Sequence, residues 1–389
     1  METNNKNTKI LFQSRLDLFD IKGGDTVQIL ETQKHLQKMG YIVDINLSIN
    51  PDVSDYDIVH VFNLDWVCES FLQIKNAKKQ HKPVVLSPIH HSLKEFERYE
   101  KEYRFGLAKI GNILLPYQPW RDVARNITKG FFYLPKLKPA LIQLFYGIRR
   151  QQRESIEMAD HIIVQTNIEA DDLRKSYKAR KFKWSKVVNG VDIKKFEKVN
   201  SLVALKIVRK NKYIFCAGRI EPRKNQLSLI KAFKELETTD PSFKNMCLVF
   251  SGSYNKHHPT YYKIFKKELN NKNIIYTGFI NQEILAGLYS KCSIFACPSW
   301  FETTGLVYLE AVVSGSRSLV ASGKRAKEYL EKNAVYCDPG SIESIKNSLV
   351  KALSGTVKSD FTQKVKKEYT WENCAFQTSQ VYIKVLHNL

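Results

Sequence analysis

Short apolar runs alternate with amphipathic stretches along the first half of the chain. Each run has the length expected of a buried β-strand. The runs occupy residues 9–14, 41–47, 57–62, 84–89, 159–166 and 186–189. After the first of them, Val27, Leu30, Leu36 and Met39 recur at helical spacing, and we expect this helix to end at Gly40. Strands that alternate with helices predict a parallel sheet.

A second set of strands and helices begins at residue 213. Its apolar runs occupy residues 213–217, 246–250, 274–276, 293–297 and 318–321. The charged, weakly periodic stretch 192–211 between the two sets is expected to be a linker. The pattern therefore predicts an α/β protein with two Rossmann-like domains, residues 1–205 and 206–370, whose sheets face a cleft. Residues 371–389 form a final helical segment. Ligands of such sheets bind at the carboxyl ends of the strands.

Length and composition are those of a globular protein. The chain has 389 residues, of which 43% are hydrophobic, so two or three domains with adequate cores are expected. No apolar run reaches the roughly 18 residues of a membrane span, and residues 1–9 lack the apolar core of a signal peptide. The seven cysteines are scattered without Cys-x2-Cys spacing. This usage is typical of reduced, buried cysteines in a cytoplasmic protein.

The charge balance is strongly basic. Lysine and arginine number 61 against 39 aspartates and glutamates, which gives a formal net charge of +22. Such a charge indicates anionic partners, namely nucleic acid, an anionic membrane or phosphorylated substrates, and it does not choose among them.

Two carboxylates flank a predicted strand–loop–helix junction. The apolar run 293–297 stops at Pro298, a loop carries Glu302, and Gly305 opens a helical pattern that contains Glu310. The start of a helix attracts anions through its free backbone N–H groups and its dipole. Glu310 lies roughly 7.5 Å farther along the helix than Gly305. A sugar nucleotide, with its diphosphate between two sets of hydroxyls, matches this order. Two solvated glutamates are the alternative.

Two cations follow the first strand of the second half. Arg219 and Lys224 lie in the segment Gly-Arg-Ile-Glu-Pro-Arg-Lys-Asn, on a turn where a diphosphate would meet the end of the strand. Arg223, between them, is interpreted as a solvated surface residue.

These two segments together resemble the family 4 retaining glycosyltransferases, which have the GT-B fold. The resemblance rests on the Glu302-x7-Glu310 pair, the Pro-Ser before it, the Gly-Leu-Val that follows the loop, and Gly-Arg followed by Lys-Asn. It implies a nucleotide-diphosphate sugar, UDP- or GDP-linked, on the second domain and an acceptor hydroxyl from the first. It also implies retention of the anomeric configuration and a last helix that crosses back onto the first domain.

The resemblance also assigns roles to residues of the second half. Glu302 would bind sugar hydroxyls, Glu310 the ribose, and Arg219 with Lys224 the diphosphate. The backbone that would stabilise the departing diphosphate belongs to Thr303, Thr304, Gly305, Leu306 and Val307. The loop that would contact the base contains Gly278, Phe279 and Ile280. The chain departs from the family at 315–318, where Gly-Ser-Arg-Ser replaces the frequent Gly-x-Pro-Val.

The first half supplies two further candidate sites. Gly23 and Gly24 form a loop after the first strand, where the resemblance implies a glycine-rich loop near donor and acceptor. His90 and His91 end the strand 84–89, where the family often has a histidine close to the transferred sugar. His90 is narrowly preferred, and a hydrogen-bonded structural histidine is the alternative for either residue.

No cofactor or metal is expected. The glycine pair is not Gly-x-Gly-x-x-Gly, so a nicotinamide or flavin cofactor is not indicated. An Asp-x-Asp pair, which would hold Mn or Mg on a diphosphate, does not stand at any predicted strand end. Arg219, Lys224 and the helix start would supply positive charge instead.

Basic residues and aromatics are interleaved between residues 121 and 153. This segment contains eight lysines or arginines and one acid, Asp122, and a second basic run at 174–186 has no acid. Such segments suit anionic lipid or single-stranded nucleic acid. The resemblance places the acceptor, often lipid-linked, on this half. We therefore expect a glycan or lipid-linked acceptor, a peripheral position at the inner face of an anionic membrane, and no nucleic acid.

Two other functions are weighed against this one. A GT-B epimerase that acts on the nucleotide sugar would need carboxylates suited to proton abstraction, and no compelling set is found. A nucleic-acid-binding protein would account for the charge but not for Glu302, Glu310, Arg219 and Lys224 in family order, and no nucleic-acid-binding signature is present.

Overall fold

The chain divides into two compact units, each with its own parallel sheet. The computed structural model describes residues 7–21, 23–103, 117–179, 182–199, 201–208 and 212–387. The first unit takes the described residues up to 93, from 117 to 190 and from 371 onward. The second takes residues 94–103 and those between 191 and 370.

The strands and helices of the described residues alternate along the chain. The strands are β1 (Lys9–Gln13), β2 (Ile42–Ile45), β3 (Ile58–Phe62), β4 (Val84–Ser87), β5 (His161–Val164), β6 (Trp184–Lys186), β7 (Tyr213–Ala217), β8 (Cys247–Ser251), β9 (Ile274–Tyr276), β10 (Ile294–Ala296), β11 (Leu319–Ser322) and β12 (Val335–Cys337). The helices are α1 (Gly24–Lys38), α2 (Val67–Lys79), α3 (Leu93–Glu102), α4 (Gln118–Phe132), α5 (Leu137–Tyr146), α6 (Ile148–Met158), α7 (Asn167–Tyr177), α8 (Ile193–Glu197), α9 (Ser201–Val208), α10 (Gln226–Thr239), α11 (Pro259–Glu268), α12 (Gln282–Lys291), α13 (Leu306–Val313), α14 (Lys324–Leu330), α15 (Ile342–Ala352), α16 (Ser359–Glu368) and α17 (Trp371–Leu386).

The first sheet has the strand order β2-β1-β3-β4-β5-β6, with all neighbours parallel. The direction of winding reverses between β1 and β3, where Ile10 is in register with Ile58. Strands β3, β4 and β5 are buried at every position. Helices cover both faces of such strands, which explains why these segments read as continuous apolar runs. The chain just beyond β1 and β3 is therefore the expected ligand-binding edge of this unit.

The last helix, α17, belongs to the first unit. It packs on α1, where the Thr32 hydroxyl lies 3.8 Å from the Cys374 thiol, and it reaches the sheet through the hydroxyl of Tyr382, 2.6 Å from Nδ1 of His60. Burial lowers the pKa of His60 to about 3, so this histidine is neutral. The expectation that the last helix returns to the first domain is confirmed.

The second sheet has the order β12-β11-β10-β7-β8-β9 and is also parallel throughout. Here the winding reverses between β7 and β10, where Ile214 faces Ile294. Its core is rich in aromatic residues, with Phe250 and Phe265 in edge-to-face contact at 5.2 Å. Burying such side chains stabilises the unit by about 1.5–3 kcal/mol each.

The structure differs from the sequence-based expectations at several elements. Much of the expected linker 192–211 is helical, because α8 and α9 lie there, and α9 packs against α12 of the second unit. Residues 200 and 209–211 of that stretch lie outside the described residues. The main part of the second unit begins at 191, earlier than the expected boundary at 205/206. Strand β6 ends at Lys186, where the predicted strand began, and β12 was not predicted.

Helix α3 directly follows β4 of the first unit, yet it packs in the second. Tyr99 contacts Trp300 and Phe301, with ring centroids at 6.0 and 5.5 Å, and the Arg98 guanidinium bonds to Asp338 at 2.8 Å. Helix α3 lies close to the backbone that follows β12, because a Cβ at Gly340 would lie only 2.5 Å from Arg98 Nη2. Helix α3 thereby supports the loop that leads to Glu302.

Candidate functional site

The two segments singled out in the second half meet at the switch point of the second sheet. Strand β7 ends at Ala217 and is followed by Gly218 and Arg219, while β10 ends at Ala296 and is followed by the loop that carries Glu302. Because β7 and β10 are hydrogen-bonded neighbours, both loops leave the same edge of the sheet. This edge is where ligands bind in open α/β sheets.

Glu302 is held by two cations. Its Oε1 lies 2.5 Å from Lys224 Nζ, and its Oε2 lies 3.4 Å from Arg223 Nη1. Burial raises the pKa of Glu302, but the charges of Lys224 and Arg223 outweigh burial and lower this pKa to about 2. Glu302 is therefore an ionised carboxylate at neutral pH and can only accept hydrogen bonds.

A second buried carboxylate, Glu221, holds the arginines of the same turn. Its Oε1 lies 3.1 Å from Arg223 Nη2, its Oε2 lies 3.6 Å from Arg219 Nε, and Asn255 donates to it at 2.7 Å. Burial raises the pKa of Glu221, and the arginines lower it to about 2. Sequence reasoning missed Glu221 and placed Arg223 at the surface. The one feature of the sequence that could have indicated Glu221 and Arg223 is their position in the turn between Arg219 and Lys224.

Arg219 is the most exposed of the three cations. Its side chain is 34% exposed, against 23% for Arg223 and 11% for Lys224. Arg219 is therefore the cation most accessible to a ligand, whereas Lys224 is paired with Glu302.

The start of α13 adjoins this cluster. Gly305 has a φ of +70°, and a Cβ there would lie 2.6 Å from the ring of Tyr308. The hydroxyl of the buried Tyr308 donates to the carbonyl of Cys297 at 2.5 Å, which fixes the helix start to the end of β10. The first turn of a helix has N–H groups without intrahelical partners and carries the positive end of the dipole. The backbone of Thr303–Val307 thus forms an anion-attracting edge next to Glu302.

Glu310 lies one turn farther along α13. The hydroxyl of Tyr289, on α12, donates to Glu310 Oε2 at 3.0 Å. Burial raises the pKa of Glu310 to about 7, although the Tyr289 hydrogen bond and the charge of Lys224 oppose this rise. The two glutamates of the pair therefore differ in charge state near neutrality, since Glu302 is ionised and Glu310 titrates there.

The loop after β9 carries Gly278, Phe279 and Ile280. The carbonyl of Gly278 accepts from the Gly252 N–H at 2.9 Å and from the Ser251 hydroxyl at 3.2 Å. A Cβ at Gly252 would lie 2.2 Å from the carbonyl oxygen of Gly218, so this position requires glycine. Gly252 thereby brings the loops after β7, β8 and β9 together. The Phe279 side chain projects from this loop and is 83% exposed, so it is accessible to a planar ligand.

The two histidines of the first unit share one carboxylate. His90 Nδ1 and His91 Nδ1 both bond to Asp65, the latter at 2.7 Å. Burial raises the pKa of Asp65, and the two histidines lower it well below its usual range. His90 is completely buried, with Nε2 3.3 Å from the Tyr177 hydroxyl, whereas the His91 side chain is partly exposed. Burial thus favours His91 over His90 as the ligand-facing residue. Asp65 was missed, because a single aspartate after a strand gives little signal.

The loop at Gly23 and Gly24 precedes and opens α1. A Cβ at Gly24 would meet no atom within 4 Å, whereas a Cβ at Gly23 would lie 2.8 Å from Asp25 Oδ1, so the loop has room for a side chain at Gly24 but not at Gly23 unless Asp25 moves. The loop is held by Asp25, whose Oδ2 lies 2.8 Å from Arg15 Nε and 3.2 Å from Asn63 Nδ2. These partners follow β1 and β3, so the loop lies at the switch point of the first sheet.

The basic, aromatic segment 121–153 is divided between buried cations and exposed aromatics. Lys136 is buried and pairs with Asp17 at 2.7 Å and Glu69 at 3.2 Å, and Lys129 lies 4.0 Å from the centroid of the Trp66 ring. In contrast, Phe132 and Phe145 are 89% and 88% exposed. Further exposed apolar side chains of the segment are Phe131, Tyr133, Leu134 and Leu141. Some of the basic side chains of this segment are therefore buried, and the exposed surface of the segment is more apolar than its sequence indicated.

Within the described ranges, no helix is both long and apolar enough to cross a membrane. In the same part of the chain, no three His, Cys, Asp or Glu side chains gather as metal ligands would.

Residues 200–368 match the family model described as glycosyl transferases group 1. The O-antigen chain mannosyltransferase B of Escherichia coli is 25% identical over 44% of this chain and 45% of its own length. The D-inositol 3-phosphate glycosyltransferase of Corynebacterium glutamicum is 28% identical over 77% of this chain and 75% of its own. The chain spans about half the length, or less, of several curated relatives that it matches.

Solved structures show the same fold over nearly the whole chain. The sucrose-phosphate synthase of Thermosynechococcus elongatus has a TM-score of 0.71 and 15% identity, and covers 98% of this chain and 100% of its own. Anabaena HepE, solved in complex with UDP and glucose, has a TM-score of 0.68 and 15% identity, and covers 97% of this chain and 100% of its own. Two parallel six-stranded sheets in this arrangement of strands are the GT-B fold.

Proposed function

We propose that this protein transfers a sugar from a nucleotide-diphosphate donor to an acceptor hydroxyl, since residues 200–368 match the family model of the glycosyl transferases group 1. The observation that carries the proposal is the cluster of Glu302, Lys224 and Arg223 beside the start of α13. Cations and a helix start suit a diphosphate, and an ionised carboxylate beside them suits the hydroxyls of a sugar.

The donor is proposed to lie on the second unit. Arg219 and Lys224 bind the diphosphate, Glu310 accepts from the ribose hydroxyls, and the loop with Gly278, Phe279 and Ile280 contacts the base. Phe279 supports this last assignment, because an exposed aromatic ring can stack on a base. Anabaena HepE was solved with UDP, and a UDP- or GDP-sugar is proposed here.

Transfer breaks the bond between the anomeric carbon and the diphosphate oxygen and forms a bond from that carbon to the acceptor oxygen, whose proton passes to the departing diphosphate. Negative charge grows on the departing phosphate oxygens as the first bond breaks. Arg219, Lys224 and the N–H groups of Thr303–Val307 stabilise that charge, which is the interaction that accelerates such a step. Glu302 holds the sugar by its hydroxyls. With the carboxylate set of the family it resembles, the enzyme is proposed to retain the anomeric configuration.

The reaction is proposed not to need a divalent metal. In this proposal Arg219 and Lys224 neutralise the leaving diphosphate in place of a metal; the ion pairs of Glu221 with Arg219 and Arg223 support it, because they hold the arginine turn in place. Transfer should therefore persist in excess EDTA. Its complete loss with EDTA and recovery with Mn or Mg would contradict this part of the proposal.

The acceptor is proposed to bind the first unit, with His91 rather than the buried His90 toward the sugar. The exposed aromatics of segment 121–153, with Lys138, Arg150 and Arg153 beside them, support a glycan or lipid-linked acceptor at an anionic membrane surface.

A thermal-shift screen of the whole chain against UDP-, GDP- and ADP-sugars tests the proposal. A ligand that binds only the folded state raises the melting temperature. At least one nucleotide sugar should raise it, and its unlinked sugar should not. No response to any nucleotide sugar, together with a salt-dependent response to DNA, would favour a nucleic-acid-binding protein instead.

A further inference from the structure

A buried tyrosine hydroxyl donates to Glu310, the second carboxylate of the Glu302–Glu310 pair. Tyr289 is fully buried on α12, and its ring contacts Phe215 and Phe295 edge-on at 5.2 and 5.1 Å. Its hydroxyl donates to Glu310 Oε2 at 3.0 Å. Two other buried tyrosines of this unit, Tyr213 and Tyr308, donate to backbone carbonyls instead. The choice of a site carboxylate as partner sets Tyr289 apart from them.

The rings around Tyr289 leave it little freedom. A side chain packed against two phenylalanines of neighbouring strands has one rotamer, so its hydroxyl is a fixed donor. Oε2 of Glu310 thereby accepts a hydrogen bond from a fixed donor, and this bond holds the carboxylate plane in one orientation. Glu310 Oε1 is not used by this hydrogen bond.

We propose that Tyr289 is a positioning residue for Glu310, which it orients so that Oε1 accepts from the two hydroxyls of a ribose. This inference rests on the proposed function and deepens it, because it assigns the preference for a ribonucleotide over a 2′-deoxyribonucleotide to a residue that does not touch the ligand. A carboxylate in one fixed orientation can bind two vicinal hydroxyls, whereas a rotating carboxylate pays for its ordering at each binding event.

The hydrogen bond also acts on the charge of Glu310. Burial raises the pKa of this carboxyl to about 7, and two groups oppose that rise, the Tyr289 hydroxyl and the Lys224 ammonium. Removing the hydroxyl leaves Lys224 as the remaining opposing group. The pKa of Glu310 should then rise further, and less of the carboxylate should be ionised at neutral pH.

The first test needs no ligand. Protein labelled with ¹³C at the glutamate carboxyls is titrated by NMR, with the Glu310 signal assigned from Glu310→Gln. The Glu310 pKa should rise by roughly one unit in Tyr289→Phe, which is the value of one neutral hydrogen bond. The matched control is Tyr261→Phe, which removes a buried hydroxyl of the same unit that donates to Gln226 and should leave this pKa unchanged. Equal Glu310 titrations in wild type and Tyr289→Phe would overturn the inference.

The second test compares UDP or GDP with its 2′-deoxy form by calorimetry. Wild type should prefer the ribonucleotide by roughly tenfold, and Tyr289→Phe should lose most of that preference. A variant that weakens both forms equally would show a structural role only, and would overturn the inference. If wild type binds neither form, the proposed function fails, while the NMR titration still decides whether Tyr289 controls Glu310.

Discussion

At the scale of single residues, the charge of the site is balanced before a ligand arrives. Glu302 occupies Lys224 at 2.5 Å, the cation that we assign to the diphosphate. Under the proposed assignment, a diphosphate competes with this carboxylate for Lys224, and Glu302 displaced from Lys224 would become available to the sugar. One ion pair of the free protein would thus supply two separate contacts in the complex.

This arrangement predicts opposite effects of Glu302→Gln on binding and on turnover. Without the competing charge, Lys224 is free, and UDP or GDP should bind roughly three- to tenfold more tightly, because about 1 kcal/mol of competition is removed. Transfer should fall at least about 100-fold, since the sugar loses its carboxylate. Calorimetry and a transfer assay on Glu302→Gln and Lys224→Met are compared. Weaker nucleotide binding by both variants would contradict the displacement.

Glu310 predicts a specific pH dependence of stability. Its pKa is raised from 4.5 to about 7 in the folded protein, so the folded state keeps a proton that the unfolded state has released. The resulting stabilisation is present below pH 4.5 and is lost as the pH rises through 7. Relative to Glu310→Gln, wild type should lose roughly 2–3 kcal/mol of unfolding free energy between these limits. Urea unfolding of both proteins across this range measures it, and a pH-independent difference would refute the assignment.

At the scale of elements, the apolar pattern predicted most strands, because both sheets are buried on two faces. The sequence-based predictions were wrong at elements whose structure depends on tertiary contacts. Helices α8 and α9 were interpreted as a linker because the stretch 192–211 as a whole is charged and weakly periodic, yet both helices pack on α12, and α8 also packs on α13. The short strand β12 carries few residues, and an apolar run of that length gives little signal.

The site was predictable in part. Glu302, Arg219, Lys224 and Glu310 were singled out from the sequence, and the structure brings the first three to one edge of the second sheet, with Glu310 a turn along α13. The sequence did not indicate three further residues of these sites, Asp65, Glu221 and Tyr289. Each of them contacts another side chain of its site, and nothing in the sequence pattern shows which residue that partner is. Such partners become visible only once the chain is folded.

One glycine joins three loops of the second unit. Gly252 has a φ of +135°, and a Cβ there would lie 2.2 Å from the Gly218 carbonyl oxygen. Gly252→Ala should therefore cost roughly 2–4 kcal/mol of stability and weaken nucleotide binding, since the Arg219 loop has to move. Gly278→Ala is the matched control, because its φ is +70° with no atom within 4 Å, and it should cost about 1 kcal/mol. Equal denaturation midpoints for the two variants would contradict this role.

At the scale of the whole molecule, the net charge of +22 is not all available to partners. Lys136 is buried in ion pairs with Asp17 and Glu69. Lys129 lies over the ring of Trp66, and its burial, together with the nearby charge of Lys136, lowers its pKa to about 8. Substituting these two lysines would therefore test stability as much as membrane binding. The exposed groups of segment 121–153 are the ones to vary.

Two sets of substitutions separate the contributions to membrane binding. Wild type should cosediment with phosphatidylglycerol vesicles and little with neutral ones. Lys138, Arg150 and Arg153, each replaced by Gln, should remove the salt-sensitive part, about 1 kcal/mol per cation. Phe131, Phe132 and Phe145, each replaced by Ser, should remove the part that persists at high salt. Phe279→Ser, an exposed phenylalanine of the second unit, should have no effect. Equal recovery on neutral and anionic vesicles would refute the anionic surface.

The central claim is that the cluster at the switch point of the second sheet binds a nucleoside diphosphate. Calorimetry with UDP, GDP and ADP on wild type, Arg219→Ala and Glu310→Ala tests it most directly. One nucleotide should bind wild type, and each substitution should weaken it by roughly 1.5–3 kcal/mol, the cost of a charged hydrogen bond. Wild-type affinity of the preferred nucleotide for both variants would contradict the account.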